Sequence, residues 1–382
     1  HTRDRPKFDA SALDRVHEIL VENVSTRMIS DVPVCLFLSS GVDSTLIAAI
    51  AKNDLNRDIE AITISYPTGD TNNESAAAKE IAHLLDIPHK VVANVDASGI
   101  PTPSSLTKLF GQPNGNITIT SVLQMANSAK TQNYRVGLTG LGGDELFFGY
   151  GKQDFAYRRR LLYNLPQSIR LALGQFAGLA APFWNSALIF KAYLGVKDNE
   201  RIPALKMPWM IDALRQIPGF ANWSCERYRY SGQPFEYSIS QIEMMETMVN
   251  SQLPALDLGS MHASMEFRTP FLSRKLSDFM ANWDWGDTMS RGQKWILKDL
   301  LARYLPREMI DRKKIGFIFP VDQFLDQFQT PPRNFPFLPK SLQDEIWNQR
   351  RQPNWRSLAA RTLLVSQFYE EIKSDGRLDS DR

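Results

Sequence analysis

Apolar and polar residues along this chain follow two rhythms, and the change between them falls near residue 152. Before it, short apolar runs alternate with stretches whose apolar residues recur every three or four positions. Residues 34–38, Val-Cys-Leu-Phe-Leu, are uninterrupted apolar, the pattern of a parallel strand covered on both faces. Residues 59–65, 90–95 and 135–139 read as three more strands. Between them, residues 73–85 place Ala76, Ala77, Ile81 and Leu84 on one side of a helix, and residues 121–131 have the same spacing. Leu13, Val16, Leu20, Val24 and Met28 mark a leading helix, and Ser11-x-x-Asp14 resembles a capping box at its start. Residues 99–118, rich in Pro, Gly and Asn, read as a loop. This alternation predicts the α/β class with a doubly wound parallel sheet, whose ligands bind at the carboxyl ends of the strands.

Beyond residue 152 the strand signals stop. Residues 157–163, 166–179, 209–215 and 239–253 have helical periodicity, predicting a mostly helical C-terminal half. The expected organisation is an N-terminal helix over 1–30, an α/β core over 31–151, a helical region completing the site over 152–373, and a polar tail over 374–382.

The first strand runs into Ser39-Ser-Gly-Val-Asp-Ser44 and then into a helix-forming run. Ser39, Ser40 and Gly41 can turn tightly while offering N–H groups and hydroxyls to an anion, and the helix opening at Val42 points its positive end the same way. Asp43 does not suit a bare anion site, because a carboxylate beside phosphate oxygens is repulsive unless a divalent cation lies between them. The loop therefore predicts phosphates with Mg2+, hence a nucleotide. It is not a Walker A loop, and Gly140-Leu-Gly-Gly-Asp-Glu145 misses the last glycine of the dinucleotide fingerprint. It is similar instead to the loop of the ATP pyrophosphatases, which cleave ATP between the α and β phosphates.

A second motif, residues 138–150, again places glycines and acids at a strand end. Gly140, Gly142 and Gly143 let backbone approach a ligand, and Asp144 can supply a second carboxylate to the magnesium that Asp43 would bind. Glu145 suits either that site or an ordinary acidic first helical turn. Two further motifs are Met261-His-Ala-Ser-Met-Glu-Phe-Arg-Thr-Pro-Phe-Leu272 and Lys294 followed by Arg312-Lys-Lys-Ile-Gly-Phe317. Fixed lysines are what a departing pyrophosphate requires.

Composition narrows the class. At 382 residues, 43% hydrophobic and net charge +2, the chain is a globular protein with no electrostatic case for nucleic acid. Arg158-Arg159-Arg160 is its densest basic run and reads as a solvated helix face. Cys35 and Cys225 make neither a disulfide framework nor a four-cysteine zinc site. No stretch stays apolar for the ~20 residues a membrane span needs, and the opening residues are not a signal peptide, so the expectation is a cytoplasmic protein without membrane partners.

Taken in order, the four motifs resemble the synthetase domain of the glutamine-dependent asparagine synthetase family. That family carries Ser-Gly-Gly-x-Asp-Ser, Gly-x-Gly-x-Asp-Glu-Leu-Phe-x-Gly-Tyr, Ser-Met-x-x-Ser-x-Glu-x-Arg-x-Pro-Phe-Leu, and a lysine followed by Arg-x-Lys-x-Gly-Phe. The resemblance implies an adenine nucleotide α-hydrolase-like PP-loop fold and an ATP-dependent, AMP-forming amide ligase. A carboxylate of a small molecule or peptide would attack the α-phosphate of ATP, and an amine would then displace AMP. It further implies that Ser39, Ser40, Gly41, Val42, Asp43, Ser44, Gly140 and Gly142 bind ATP, that Asp43 and Asp144 hold magnesium, and that Lys294 and Lys314 are catalytic. Leu141, Glu145, Glu266 and Arg268 would shape the acceptor side.

The chain departs from the family at three of these positions. Ser40 replaces the first glycine of the pair, Ser273 replaces the aspartate after Pro-Phe-Leu, and Leu141 stands where asparagine synthetases have glutamate and β-lactam synthetases tyrosine. Leu141 cannot move a proton, which argues against aspartate as acceptor. No cysteine precedes Cys35, so the family's glutaminase nucleophile is missing from this sequence. The leading expectation is ammonia from a glutaminase domain or subunit. The alternatives are a macrolactam- or β-lactam-type cyclase using a substrate amine, and a non-catalytic nucleotide-binding homologue.

Overall fold

The computed structural model describes residues 5–65, 74–93, 101–180, 190–191, 193–206, 211–217, 220, 234–312, 321–331, 338–353 and 355–374. Its centre is a parallel sheet of β1 (Val34–Phe37), β2 (Glu60–Ser65), β3 (His89–Ala93), β4 (Val136–Leu138) and β5 (Glu266–Arg268), in the order β3-β2-β1-β4-β5. Leu36 lies opposite Ala61 on one side and Leu138 on the other, which puts β1 at the middle. The carboxyl ends of β1 and β4 are therefore neighbours, and so are the two loops that leave them.

The unbroken apolar run of β1 has a direct cause. Leu36 and Leu38 enter a core with Val16, Ile19 and Leu20 of α1 (Ala10–Arg27) and with Leu46 and Ile47 of α2 (Val42–Ala49). Cys35 and Phe37 point into a separate core on the other face. Alternate residues of one strand are thus buried on opposite sides, as in any sheet with two covered faces.

The α/β expectation holds, with three corrections. The fifth strand comes from the half predicted to be helical: Glu266-Phe-Arg268 has one apolar residue, too little pattern to read, yet Glu266 N–H donates to Arg135 O at 2.8 Å and pairs it to β4. The capping residue of α1 is Asp9, whose Oδ1 accepts from Ala12 N at 2.9 Å, and Ser11 donates to Asp9 instead of capping. After α3 (Glu74–Leu84), the 99–118 segment contains α4 (Pro103–Phe110), opened by Thr102 and closed by Gly111 at φ +62°. Its proline sits at the first helical position, where the missing N–H costs nothing. Residues 239–253 fall in a longer helical run over 235–262, wound as a π-helix between Glu243 and Gln252.

Next come α5 (Ile119–Thr131), α6 (Gly143–Leu146), α7 (Gly151–Arg158), α8 (Arg160–Tyr163) and α9 (Gln167–Ala180). Of the helix expected over 209–215, Ile211–Leu214 is helical, and residues 209–210 lie outside the described residues, as do 375–382 of the expected tail. Part of the helical half shares the main core. Helix Trp295–Leu301 buries Leu297 and Leu300 in the same core as α1 and α2 and packs on α2.

Candidate functional site

The loop after β1 is held by its own hydroxyls. Ser39 N–H donates to Ser44 Oγ at 3.1 Å, Gly41 N–H donates to Ser39 Oγ at 3.1 Å, and the Thr45 hydroxyl donates to Gly41 O at 2.8 Å. Gly41 is the N-cap of α2 and supplies no side-chain cap, so the first turn of the helix faces the strand ends with its N–H groups unblocked by a side chain. Val42 opens that turn and packs against the main core, and Ser40 Oγ reaches Glu74 Oε1 at 3.5 Å.

Three charged side chains meet beside this loop. Lys294 Nζ lies 2.5 Å from Asp43 Oδ2 and 2.5 Å from Asp144 Oδ1, with the lysine only 7% exposed. Its backbone is left-handed at φ +53°, an uncommon conformation for a residue with a Cβ, and its N–H donates to Phe147 O at 3.1 Å. Two glycines make room for the cluster. A Cβ on Gly143 would stand 2.5 Å from Asp43 Oδ1, and one on Gly149 would stand 1.9 Å from Asp144 Oδ1 and 2.3 Å from Lys294 Cε. Gly142, at φ +100°, serves the turn itself, with Leu272 pressed against it.

The two carboxylates suit magnesium. They converge on one cation, here the ammonium of Lys294, and Mg2+ characteristically takes one or two carboxylates and fills its remaining positions with phosphate oxygens and water. No group of three or more His, Cys, Asp or Glu side chains that could hold a metal ion occurs among the described residues.

A cavity of about 320 Å³ opens from this cluster. Ser39, Gly41, Asp43, Ser44, Gly140 and Asp144 form one end, and Phe37, Ile62, Ile64, Val122, Met125 and Leu256 line the rest. Leu141 is part of its wall. Thr63, Glu74, Thr139 and Gln252 also line it, although no local pattern in the sequence singles them out. Thr63 is fastened by donating to Leu38 O at 2.7 Å, a link between neighbouring strands that only the fold creates. A second cleft of about 350 Å³ runs past Arg291, Lys298, Asp299 and Asp311, but its charges pair with one another, as in Arg291–Asp299 at 2.9 Å and Lys298–Asp311 at 3.0 Å.

The remaining predicted positions are placed elsewhere. Glu145 is 1% exposed and turned away from the cavity lining; it accepts from the Tyr150 hydroxyl, and burial pushes its carboxyl above the usual range. Glu266 and Arg268 pair with each other at 2.8 Å, and Arg268 also donates to Arg27 O and Ile29 O at 2.9 and 2.6 Å, tying the edge strand to the end of α1. Neither lines the cavity. Lys314 lies outside the described residues.

Comparison with known proteins identifies a family. The asparagine synthase family model matches residues 15–358. A putative glutamine-hydrolysing asparagine synthetase of Mycobacterium bovis is 26% identical over 328 residues, covering 83% of this chain and 49% of that protein. Asparagine synthetase 1 of Bacillus subtilis is 24% identical over 325 residues, covering 81% and 50%. The chain spans about half the length of the curated relatives it matches. A solved structure, the tRNA thiolase NcsA of Methanococcus maripaludis, aligns over 94% of this chain and 80% of its own at 9% identity and a TM-score of 0.29, too slight a likeness to carry an argument. By the extent of the family match over residues 15–358, the chain belongs to the asparagine synthase family.

Proposed function

We propose that this chain is the synthetase part of an ATP-dependent, AMP-forming amide ligase. The observation that carries this reading is the meeting of Asp43, Asp144 and Lys294 at the carboxyl ends of β1 and β4, beside an uncapped helix start. Asp43 and Asp144 would hold magnesium, which supplies charge neutralisation for the phosphates.

In the reaction, a substrate carboxylate oxygen forms a bond to the α-phosphorus as the bond to the bridging α–β oxygen breaks, releasing pyrophosphate. An amine nitrogen then bonds to the acyl carbon, AMP departs with the acyl–oxygen electron pair, and the nitrogen loses a proton. The Ser39–Ser44 loop orients the phosphates, and the apolar wall of the cavity excludes water from the activated acyl group. Lys294 carries the mobile positive charge: its ammonium leaves the two carboxylates to meet the negative charge that builds on pyrophosphate. Lys314, by its motif, would stand on the same side.

The named relatives are glutamine-hydrolysing and about twice as long, which supports ammonia delivered by a glutaminase domain or subunit. A cyclase that uses a substrate amine is the other reading; Leu141, in the cavity wall, bears on which carboxylate is accepted and not on the source of the amine. Incubation with ATP and a panel of carboxylic acids, with ammonium or with peptides that carry their own amine, separates the two by product mass. AMP and pyrophosphate are expected in both cases, and ADP with phosphate would refute the ligase reading.

A further inference from the structure

Helix α9 presents its apolar side outward. Setting Ile169 at zero and advancing about 100° per residue, Ala172, Leu173, Phe176 and Leu179 fall with it within an arc of about 120°. All five are exposed, Phe176 at 73% and Leu179 at 77%. The opposite arc holds Arg170 and Gly174, both buried.

The helix cannot roll to hide this stripe. The Arg170 side chain is wholly buried, donates to Val196 O at 3.3 Å and pairs with Asp198. Gly174 lies backbone to backbone on the following segment, where an added Cβ would stand 2.3 Å from Gly195 Cα. The polar anchor and the close glycine contact fix which side faces out.

Charge defines what the stripe meets. Besides the buried Arg170, residues 155–197 contain Arg158, Arg159, Arg160, Lys191 and Lys197 and no acidic residue, with Asp154 and Asp198 at either end. Arg158 pairs with Asp154 at 2.8 Å, but Arg159 and Arg160 stack over Phe155 and Tyr157 with ring distances of 3.8 and 4.3 Å and have no carboxylate partner among the described residues. Beside them Leu161 is 83% exposed.

We propose that α9, with the arginines before it, is a surface that docks on an anionic lipid bilayer, the helix lying in the interface. Exposed apolar side chains on one helix face, with cations that lack carboxylate partners in the segment just before it, are the composition of an interfacial helix. At 14 residues, about 21 Å, α9 is too short to span a bilayer, and no helix among the described residues is long and apolar enough to cross one. A second copy is a poorer occupant, because it would bring the same cations against themselves.

The test is flotation of the whole 382-residue chain with phosphatidylcholine vesicles and with vesicles containing phosphatidylglycerol. Binding is expected on the anionic vesicles and should weaken with salt. The double variants Phe176→Ser/Leu179→Ser and Arg159→Gln/Arg160→Gln should each weaken it by on the order of tenfold or more. Thermal melts of both report folding, and should the first variant misfold, the arginine pair, half-buried at Arg159 and exposed at Arg160, decides the question. Absence of binding at low salt overturns the proposal, as does binding that neither variant weakens. A stripe-dependent dimer in sedimentation velocity, with no lipid binding, would assign the face to a second copy and overturn it as well.

Discussion

Lys294 Nζ lies 2.5 Å from Asp43 Oδ2, across 251 residues of chain, and the same ammonium is 2.5 Å from Asp144. Two carboxylates that would repel each other in a partly buried setting are held together by one lysine. The two carboxylates therefore converge on a position that a cation already occupies in this structure.

Asp43→Asn and Asp144→Asn should each lower turnover at least about a hundredfold, because on the proposed reading each would remove one charged ligand of the same ion. Pyrophosphate release at saturating ATP and magnesium measures this. Turnover at the unsubstituted rate in either variant would show that the two carboxylates do not share that task.

Lys294→Met removes the buried ammonium that the two carboxylates share. The expected cost without metal is roughly 3–5 kcal/mol, as for other buried pairs deprived of one partner. Magnesium should restore part of it by occupying the vacated position. Denaturant melts with and without magnesium test both halves, and a variant as stable as the parent in metal-free buffer would contradict the placement of the lysine.

Gly149→Ala isolates the steric requirement. The added methyl would stand 1.9 Å from Asp144 Oδ1 and 2.3 Å from Lys294 Cε, so the cluster must move apart. Rate should fall by more than about tenfold while the melting temperature changes by only a few degrees, since positioning and not core packing is lost. Steady-state kinetics beside a thermal melt separate the two effects.

Cys35 is fully buried in β1, and burial pushes its thiol from the ordinary 9.0 up to about 12. A raised value stabilises the fold fully below pH 9, and that contribution declines as pH rises toward 12. In a Cys225→Ser background, a thiol reagent at pH 8 should label the native chain only as fast as it unfolds. Immediate stoichiometric labelling would place Cys35 at the surface.

Lys314→Ala should slow adenylate formation by about a hundredfold or more while weakening ATP binding only modestly, if its ammonium acts on charge that develops in the transition state. Pyrophosphate release measured beside ATP affinity decides between this and a plain binding role, which would lower both equally.

Four of the five strands were legible in the residues because each is a run of apolar positions bounded by turn-formers, and β1 was clearest because both its faces are covered. The loop from Ser39 to Ser44 and the acids Asp43 and Asp144 were legible too, since glycines and carboxylates at strand ends have a local chemical meaning. Strand β5 was not, because three residues at a sheet edge are selected by the hydrogen bonds of β4 and not by their own pattern. Lys294 was singled out through its motif, but its surroundings were not legible. Alone it is one lysine heading an amphipathic helix; its left-handed backbone, its burial and its two carboxylate partners come from packing that helix against α2. The sequence by itself therefore determined which chemical groups are present and which lie at strand ends, because those depend on neighbours in the chain. Only the tertiary structure decided which of them share a cavity and which, like Glu266 and Arg268, serve the edge of the sheet, because long-range packing sets where side chains from distant segments meet.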